Sequence, residues 1–337
     1  MHATREALLH RLSAGNKELS GEELAASLGI SRTAVWKHVH ALQAEGLDIR
    51  AERGRGYRLY DDVLVASLLA EGLAGLRIGS RCVVMPEVDS TNSELMRLAT
   101  QEGGAAPDGT VLLAERQTRG RGRLQRDWLT APQHSLAMSV LLRPPLAPTE
   151  VAQLPLLTAV AVQQALLDIA PLRIKWPNDI LFEGRKLAGI LTEMRAEPGA
   201  VHAVVIGIGI NVRSPEGGWP EALRAVAGDL SSAGDLSGMA GYSSSAGDGI
   251  RRMDVALAVL RRLDALYHEY LAHGFEPIRE AWWQAHVACG QPVRVHNGKT
   301  YIDGVAEALD ADGALLLRTP AGLQRIITGD LELRENI

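Results

Sequence analysis

Cysteine is nearly absent from this chain. Its 337 residues hold only Cys82 and Cys289, far apart and in no C-x-x-C arrangement. Such usage points away from a disulfide scaffold or a zinc site and toward two reduced thiols in a cytosolic protein. Long apolar runs are missing too. No stretch reaches the ~18 consecutive apolar residues of a membrane-spanning helix. The first residues, MHATREALLHRLSAG, are charged and periodic and lack the apolar core of a signal peptide. No membrane association and a cytoplasmic location are therefore expected. An excess of positive charge is the third absence. Lys and Arg number 35 against 40 Asp and Glu, a formal net charge of −5. That excludes a chain coated with positive charge for nucleic acid, but leaves a local basic patch open. A composition of 46% hydrophobic and 22% charged residues suits a soluble protein with a buried core. The length exceeds one domain of roughly 100–200 residues.

Residues 1–62 read as one unit. Ala7, Leu8, Leu9 and Leu12 form a helical stripe that Gly15 and Asn16 end. Ser20 and Glu23 make a capping box for a short helix that Gly29 stops. Ser31 caps a third helix running to about residue 45, with Val35, Val39 and Leu42 on its inner face. Two short helices joined by a turn, then strand, glycine-rich tip and strand, spell a winged helix-turn-helix. Nine Lys/Arg against seven Asp/Glu give residues 1–60 a formal +2, and four arginines lie between Arg50 and Arg58. Ser31, Arg32, Thr33, Trp36, Lys37 and His40 on the third helix, with Arg53 and Arg55 in the wing, are the candidate DNA contacts.

Residues 63–287 look mixed α/β. Strands are expected at 81–86, 110–115, 135–142, 180–182, 186–194 and 203–212, and helices at 91–101, 150–169 and 254–273. Long helices between strand groups predict a sheet covered on one face, and short connections make that sheet mixed. Of residues 226–250, 19 are Gly, Ser, Ala or Asp, and SSAGD occurs twice. That stretch reads as a mobile insertion. Residues 288–337 carry closely spaced short strands, with turns at Asn297 and Gly298, at Asp312 and Gly313, and at Ala321 and Gly322, which predicts a small β-barrel-like domain.

Five arginines between Arg116 and Arg126, with no acid among them, follow a strand end. Gly120 and Gly122 allow close approach of backbone to ligand, and the whole loop suits an anionic ligand such as a nucleotide phosphate. The loop is neither a dinucleotide fingerprint nor a P-loop. Thr91 and Glu94 fit a capping box, whose helix start presents Ser90, Thr91 and Asn92. Lys175, Asn178 and Asp179 stand between apolar strand segments, where burial without a purpose is costly. Lys186 opens a strand and can aim a compact charge at a carboxylate or phosphate. Gly207 and Gly209 interrupt an apolar strand that ends in Asn211, which implies close packing by a ligand or another backbone.

These segments, STN (90–92), QTRGRGR (117–123), KWPND (175–179), RKLAGIL (185–191) and GIGIN (207–211), resemble in order and spacing the biotin–protein ligases. The winged helix makes the resemblance nearest to those that double as a biotin operon repressor. It implies an α/β (α+β) fold: winged helix-turn-helix, a class II synthetase-like mixed sheet covered by helices, and an SH3-like C-terminal barrel. It implies biotin and ATP with Mg²⁺ as reactants, biotinyl-5′-AMP as intermediate and corepressor, a biotin carboxyl carrier protein and operator DNA as partners, and a ligand-promoted homodimer. Carried over, Ser90, Thr91, Asn92, Gln117, Arg121, Gly122, Arg123 and Lys186 hold biotin, with Arg123 and Lys186 catalytic. Gly120, Lys175, Asn178 and Asn211 meet the nucleotide, and Asp179 the Mg²⁺. Gln125 replaces the family's usual glycine and stiffens the far end of the loop. The 226–250 insertion falls where the family's adenine-side loop is expected. A ligand-sensing transcription factor without catalysis and a lipoate–protein ligase-like acyltransferase are the competing readings.

Overall fold

Capping chemistry sets the first unit. In a computed structural model, which describes residues 2–14, 18–52, 54–101, 105–233, 249–298 and 300–333, α1 (His2–Ser13), α2 (Gly21–Leu28) and α3 (Arg32–Ala44) precede a hairpin of β1 (Ile49–Glu52) and β2 (Gly56–Leu59). The Ser20 hydroxyl accepts from the Glu23 N–H at 3.1 Å, and the Glu23 carboxylate accepts from the Ser20 N–H at 2.8 Å. Gly29 closes α2 in the left-handed region at φ 64. Ser31 accepts from the Ala34 N–H at 3.2 Å and starts α3. Leu8, Leu12, Leu24, Val35, Val39 and Leu42 fuse into a separate core. Gly15, Asn16 and Arg53 lie outside the described residues.

The central unit follows: α4 (Ala66–Gly72), β3 (Arg81–Val88), α5 (Thr91–Ala99), β4 (Thr110–Gln117), β5 (Ser135–Leu142), α6 (Leu154–Ala165), β6 (Arg173–Lys175), β7 (Asp179–Phe182), β8 (Arg185–Glu197), β9 (Ala200–Asn211), α7 (Arg252–His273) and α8 (Glu276–Ala285). Its sheet runs β3-β4-β5-β9-β8-β7-β6. Only β3 and β4 pair in parallel, so the sheet is mixed, as the short connections imply.

The one-face cover expected from sequence is wrong. All eight residues of β5 are buried, because helices lie on both sides. On one face, Met138, Val140, Ile206, Ile208 and Ile210 join the large core with α6 and α7. On the other, Leu141, Ala203 and Val205 pack under Leu95 and Ala99 of α5. The expected 150–169 helix is also split. A 3-10 turn, Glu150–Gln153, comes first and α6 starts behind it, with proline in its first turn. At 91–94 no capping box forms. The helix begins at Thr91 as expected, but Ser90 is its N-cap, and Glu94 binds Arg97 instead.

Strands β10 (Pro292–His296), β11 (Tyr301–Leu309), β12 (Leu315–Thr319), β13 (Gly322–Ile326) and β14 (Asp330–Leu333) form a five-stranded antiparallel sheet in the order β13-β12-β11-β10-β14. Its Val293, Val295, Leu315 and Leu331 join the large core.

A buried ion cluster fastens the link between the first two units. Asp62 accepts from Arg213 Nη2 at 2.5 Å and from the Arg252 N–H at 3.0 Å. Arg252, fully buried, also donates to Glu115 at 2.7 Å. Arg251 reaches back to the Ser13 carbonyl at 2.8 Å.

Part of the 226–250 reading fails as well. Asp229 and Leu230 are buried, and Asp229 accepts from Ser214 and Ser231, each at 2.6 Å. Residues 226–233 are thus a built part of the structure, because Asp229 and Leu230 give polar and apolar anchors among the small residues. Residues 234–248 lie outside the described residues.

Candidate functional site

Strand β9 makes the site by alternation. Its even positions, Val204 to Val212, face the large core. Its odd positions, after Val205, are Gly207, Gly209 and Asn211. Period-two geometry sends these to the opposite face, beyond the end of α5. Gly209 pairs with Ala137 of β5 and with Gly189 of β8, so three strands present a flat patch without bulk. Trp128 lies over that patch. A Cβ at Gly209 would come within 2.4 Å of its indole, and one at Gly189 within 3.1 Å. A Cβ at Gly207 would instead meet the Asn92 amide at 2.3 Å.

A continuous polar wall borders the floor. The Thr91 N–H donates to Gln117 Oε1 at 2.8 Å, and Gln117 Nε2 donates to Thr130 at 3.0 Å. Ser139 Oγ stands 2.8 Å from Thr91 Oγ1 and 2.7 Å from Asn92 Oδ1. Asn92 Nδ2 donates to Glu193 at 2.9 Å, and Arg121 donates to the same carboxylate oxygen at 2.8 Å. Each of these polar groups is therefore held by another, which fixes their directions around the cleft.

Lys186 sits at the rim. Its Nζ is 2.7 Å from Asp179 Oδ1 and 5.7 Å from the centre of the Trp128 ring. Its backbone is gripped by residues 226–228: the Lys186 N–H donates to Val226 at 2.7 Å, and the Gly228 N–H to Lys186 at 2.9 Å. Asn211 Nδ2 donates to the Gly228 carbonyl at 3.0 Å. Arg123 approaches from the other side, 3.5 Å from Asn178 Oδ1. Burial pushes its guanidinium below the ordinary arginine value, against the pull of Asp330 and Asp179.

Ser90, Thr91, Asn92, Gln117, Arg121, Gly122, Arg123, Asn178, Asp179, Lys186 and Asn211 thus line one cleft. Two expected residues do not. Lys175 is half-buried on the edge strand β6 and is not among the lining residues. Gly120 is buried, and a Cβ there would lie 2.3 Å from the Trp128 carbonyl oxygen. The loop's own closure demands a glycine there. Trp128, Gly189, Trp219 and Asp330 line the cleft without having been singled out. For Gly189, the RKLAGIL run already set a glycine among apolar strand residues, and that signal was readable. Among the described residues no group of three or more His, Cys, Asp or Glu could hold a metal ion. A Mg²⁺ arriving on ATP phosphates needs only one or two carboxylates, and Asp179 fits that lesser demand.

The second face is on the winged helix. Arg32, Thr33, Trp36, Lys37 and His40 are exposed along α3, with the Trp36 and His40 rings 4.0 Å apart. Ser31 works as the cap. The wing is less basic than its sequence: Arg50 pairs with Asp48, Arg58 with Glu18, and Arg55 stands 3.8 Å from Glu52.

This combination defines a ligase of cofactor-type acids carried on a DNA-binding chain. Residues 84–211 match the biotin/lipoate A/B protein ligase family, residues 4–58 an HTH domain, and residues 288–334 the biotin protein ligase C-terminal domain. The bifunctional ligase/repressor BirA of Bacillus subtilis is 39% identical over 326 residues, covering 95% of each chain. That of Escherichia coli is 31% identical over 317 residues, covering 94% of this chain and 92% of its own. The biotin protein ligase from Aquifex aeolicus in complex with biotin and ATP superimposes with a TM-score of 0.60 at 31% identity, over 75% of this chain and 99% of that one. The chain belongs to the biotin protein ligase family, in its bifunctional ligase/repressor branch.

Proposed function

We propose that this cytoplasmic protein joins biotin and ATP into biotinyl-5′-AMP and pyrophosphate, and then passes biotin to a lysine of the biotin carboxyl carrier protein. Its units divide at residues 62/63 and 287/288. Ser90, Thr91, Asn92, Gln117, Arg121 and Gly122 hold biotin over the glycine floor, and Asn178 and Asn211 border the nucleotide. No protein nucleophile is required. The biotin carboxylate attacks the α-phosphorus, and the bond to the pyrophosphate oxygen breaks. The carrier amine then attacks the acyl carbon, AMP leaves with the bonding electrons, and a proton is released from nitrogen. The first step joins two anions. Arg123 and Lys186 neutralise the charge that develops, and they are held in place before reaction. Asp179 would hold a Mg²⁺, which supplies further neutralisation of the phosphates. The reading rests on one observation: both cations line a cleft whose floor is stripped of side chains at Gly189 and Gly209.

The same ligand serves as corepressor. Biotinyl-5′-AMP orders the arginine-rich loop and favours a homodimer, which sets two winged helices on a palindromic operator of biotin synthesis genes. Incubation with ATP, Mg²⁺, a biotin carrier domain and either biotin or lipoate tests the enzyme. The carrier gains the mass of biotin and not of lipoate. No gain with biotin under any condition would sink the assignment.

A further inference from the structure

One acid stands just behind the wall of the cleft. Gly189, Leu191 and Glu193 are alternate positions of β8 and share its cleft face. The first two line the cleft, and Glu193 lies beyond them along the strand. One of its oxygens, Oε2, accepts twice: from Asn92 Nδ2 at 2.9 Å and from Arg121 at 2.8 Å. The two donors differ in kind. Asn92 is buried and fixed by groups outside the arginine-rich loop. Its amide also donates to the Leu191 carbonyl at 3.1 Å, its Oδ1 lies 2.7 Å from Ser139 Oγ, and a Cβ at Gly207 would strike it. Ser139 carries the contact onward to Thr91, and Thr91 to Gln117. Arg121 belongs to the loop, and its side chain is 42% exposed. Other arginines of the loop meet other acids, Arg116 with Glu87 and Arg126 with Asp330. Arg121 is paired through a carboxylate that also holds Asn92 of the polar wall.

We propose that Glu193 is a positioning residue, the catch on which the arginine-rich loop closes once ligand orders it. An ion pair this exposed is too weak to pin a loop by itself. Ligand supplies the rest of the closing energy, and Glu193 decides where the loop comes to rest. The shared oxygen ties that resting place to Asn92, so one carboxylate sets both the closed loop and the polar wall. Glu193 touches no reacting atom. What it controls is the fate of biotinyl-5′-AMP. With the loop off its catch, water attacks the acyl carbon and the bond to the phosphate oxygen breaks. AMP leaves with the bonding electrons, a proton passes to solvent, and free biotin returns. With the loop on its catch, that water is excluded until the carrier amine arrives. This role rests on the adenylation and the ligand-driven ordering given above.

The test uses the full-length protein with Glu193→Gln, Arg121→Met and their combination, at saturating biotin. Limited trypsin digestion without ligand, with biotin, and with biotin and ATP reads closure without reference to turnover. Without ligand the variants and wild type should be cut alike. Ligand should slow cleavage after Arg119 and Arg123 in wild type, and each single variant should lose most of that protection at an unchanged melting temperature. Arg121→Lys, which keeps the charge, should retain part of it. With biotin and ATP but no carrier, AMP should leak about tenfold faster from either single variant, the size of an ordinary pairwise coupling. The double variant should leak no faster than the single ones, because all three lack the same contact. Should Glu193→Gln disturb β8, Arg121→Met removes that contact from the exposed loop side. Wild-type protection and leakage in the single variants would overturn the catch. Additive losses in the double variant would leave Glu193 to Asn92 alone and overturn it too. Wild-type protein whose digestion no ligand slows would instead refute ligand-driven ordering. Wild-type protein that releases no pyrophosphate would refute the adenylation reading, with digestion in biotin still judging the catch.

Discussion

Lys186 Nζ lies 2.7 Å from Asp179 Oδ1, and this pair faces the cleft from strands that are hydrogen-bonded neighbours. The lysine is thereby aimed without being buried, since its side chain stays 38% exposed. Lys186→Ala should slow adenylate formation by about 10²–10³-fold while circular dichroism stays unchanged, as loss of one positioned charge-stabilising group does elsewhere. Pyrophosphate release in a single turnover measures it. An unaltered rate would remove the lysine from the reaction.

Gly209→Ala places a methyl group where the Trp128 indole now rests. The ring must move off the floor. Biotin affinity should fall at least tenfold, or roughly 1.4 kcal/mol, with a shift in tryptophan emission that Trp128→Phe abolishes. Titration calorimetry and fluorescence together check this. Wild-type affinity in Gly209→Ala would mean that biotin does not lie over this patch.

The contrast between these residues shows what a sequence can carry. The caps at Ser20 and Ser31 were legible because they act within three residues of themselves. The glycines of β9 were legible as an interruption, and period-two geometry tells which face they empty. Trp128 was not, because its place depends on a loop folding back on Gly209. Nor was the pairing of wing arginines with Asp48 and Glu18, which lowers the free charge of a segment that reads as strongly basic. Lys175 and Lys186 look alike in sequence. Only the register of the sheet puts one on an edge strand and the other at the rim. Covering of both sheet faces was hidden by the shortness of α5.

His286 is buried against Trp282, with ring centroids 4.6 Å apart. Burial holds its pKa down to about 4 from 6.5, although its bond to the Ile174 carbonyl opposes the shift. The folded state therefore favours the neutral ring. This contribution is complete above pH 6.5 and is lost as pH falls toward 4, where the unfolded chain takes up a proton that the fold refuses. The loss approaches about 3 kcal/mol. Urea midpoints of wild type and His286→Phe, compared between pH 7.5 and 4.5, should converge on the acid side. Parallel curves would show that another group governs this range.

On α3, Trp36→Ala and Arg32→Ala should each weaken operator binding by roughly 1–3 kcal/mol and leave biotinylation untouched. Gel-shift titrations at two salt concentrations, beside a carrier-biotinylation assay, separate the two activities. A parallel fall in biotinylation would argue that this face does not serve DNA alone.

Arg252→Met removes one member of a buried charge cluster and leaves Glu115 and Asp62 behind. Breaking such a pair costs about 3–5 kcal/mol. A thermal melt should fall by about 10 °C or more, and a double variant with Glu115→Gln should regain part of it.

Asp62 changes how an operator-blind ligase has to be cut. The wing ends at Leu59, yet the carboxylate that satisfies Arg213 and Arg252 comes after it. A shortened chain beginning at residue 61 retains this counter-charge. One beginning at residue 66 loses the acid that pairs with Arg213 and Arg252, together with the buried Val63, Leu64 and Val65. The first should yield folded enzyme and the second an unstable one, although both lack α1, α2, α3 and the wing. The position of the cut is set by Asp62 and the buried residues that follow it rather than by the last strand.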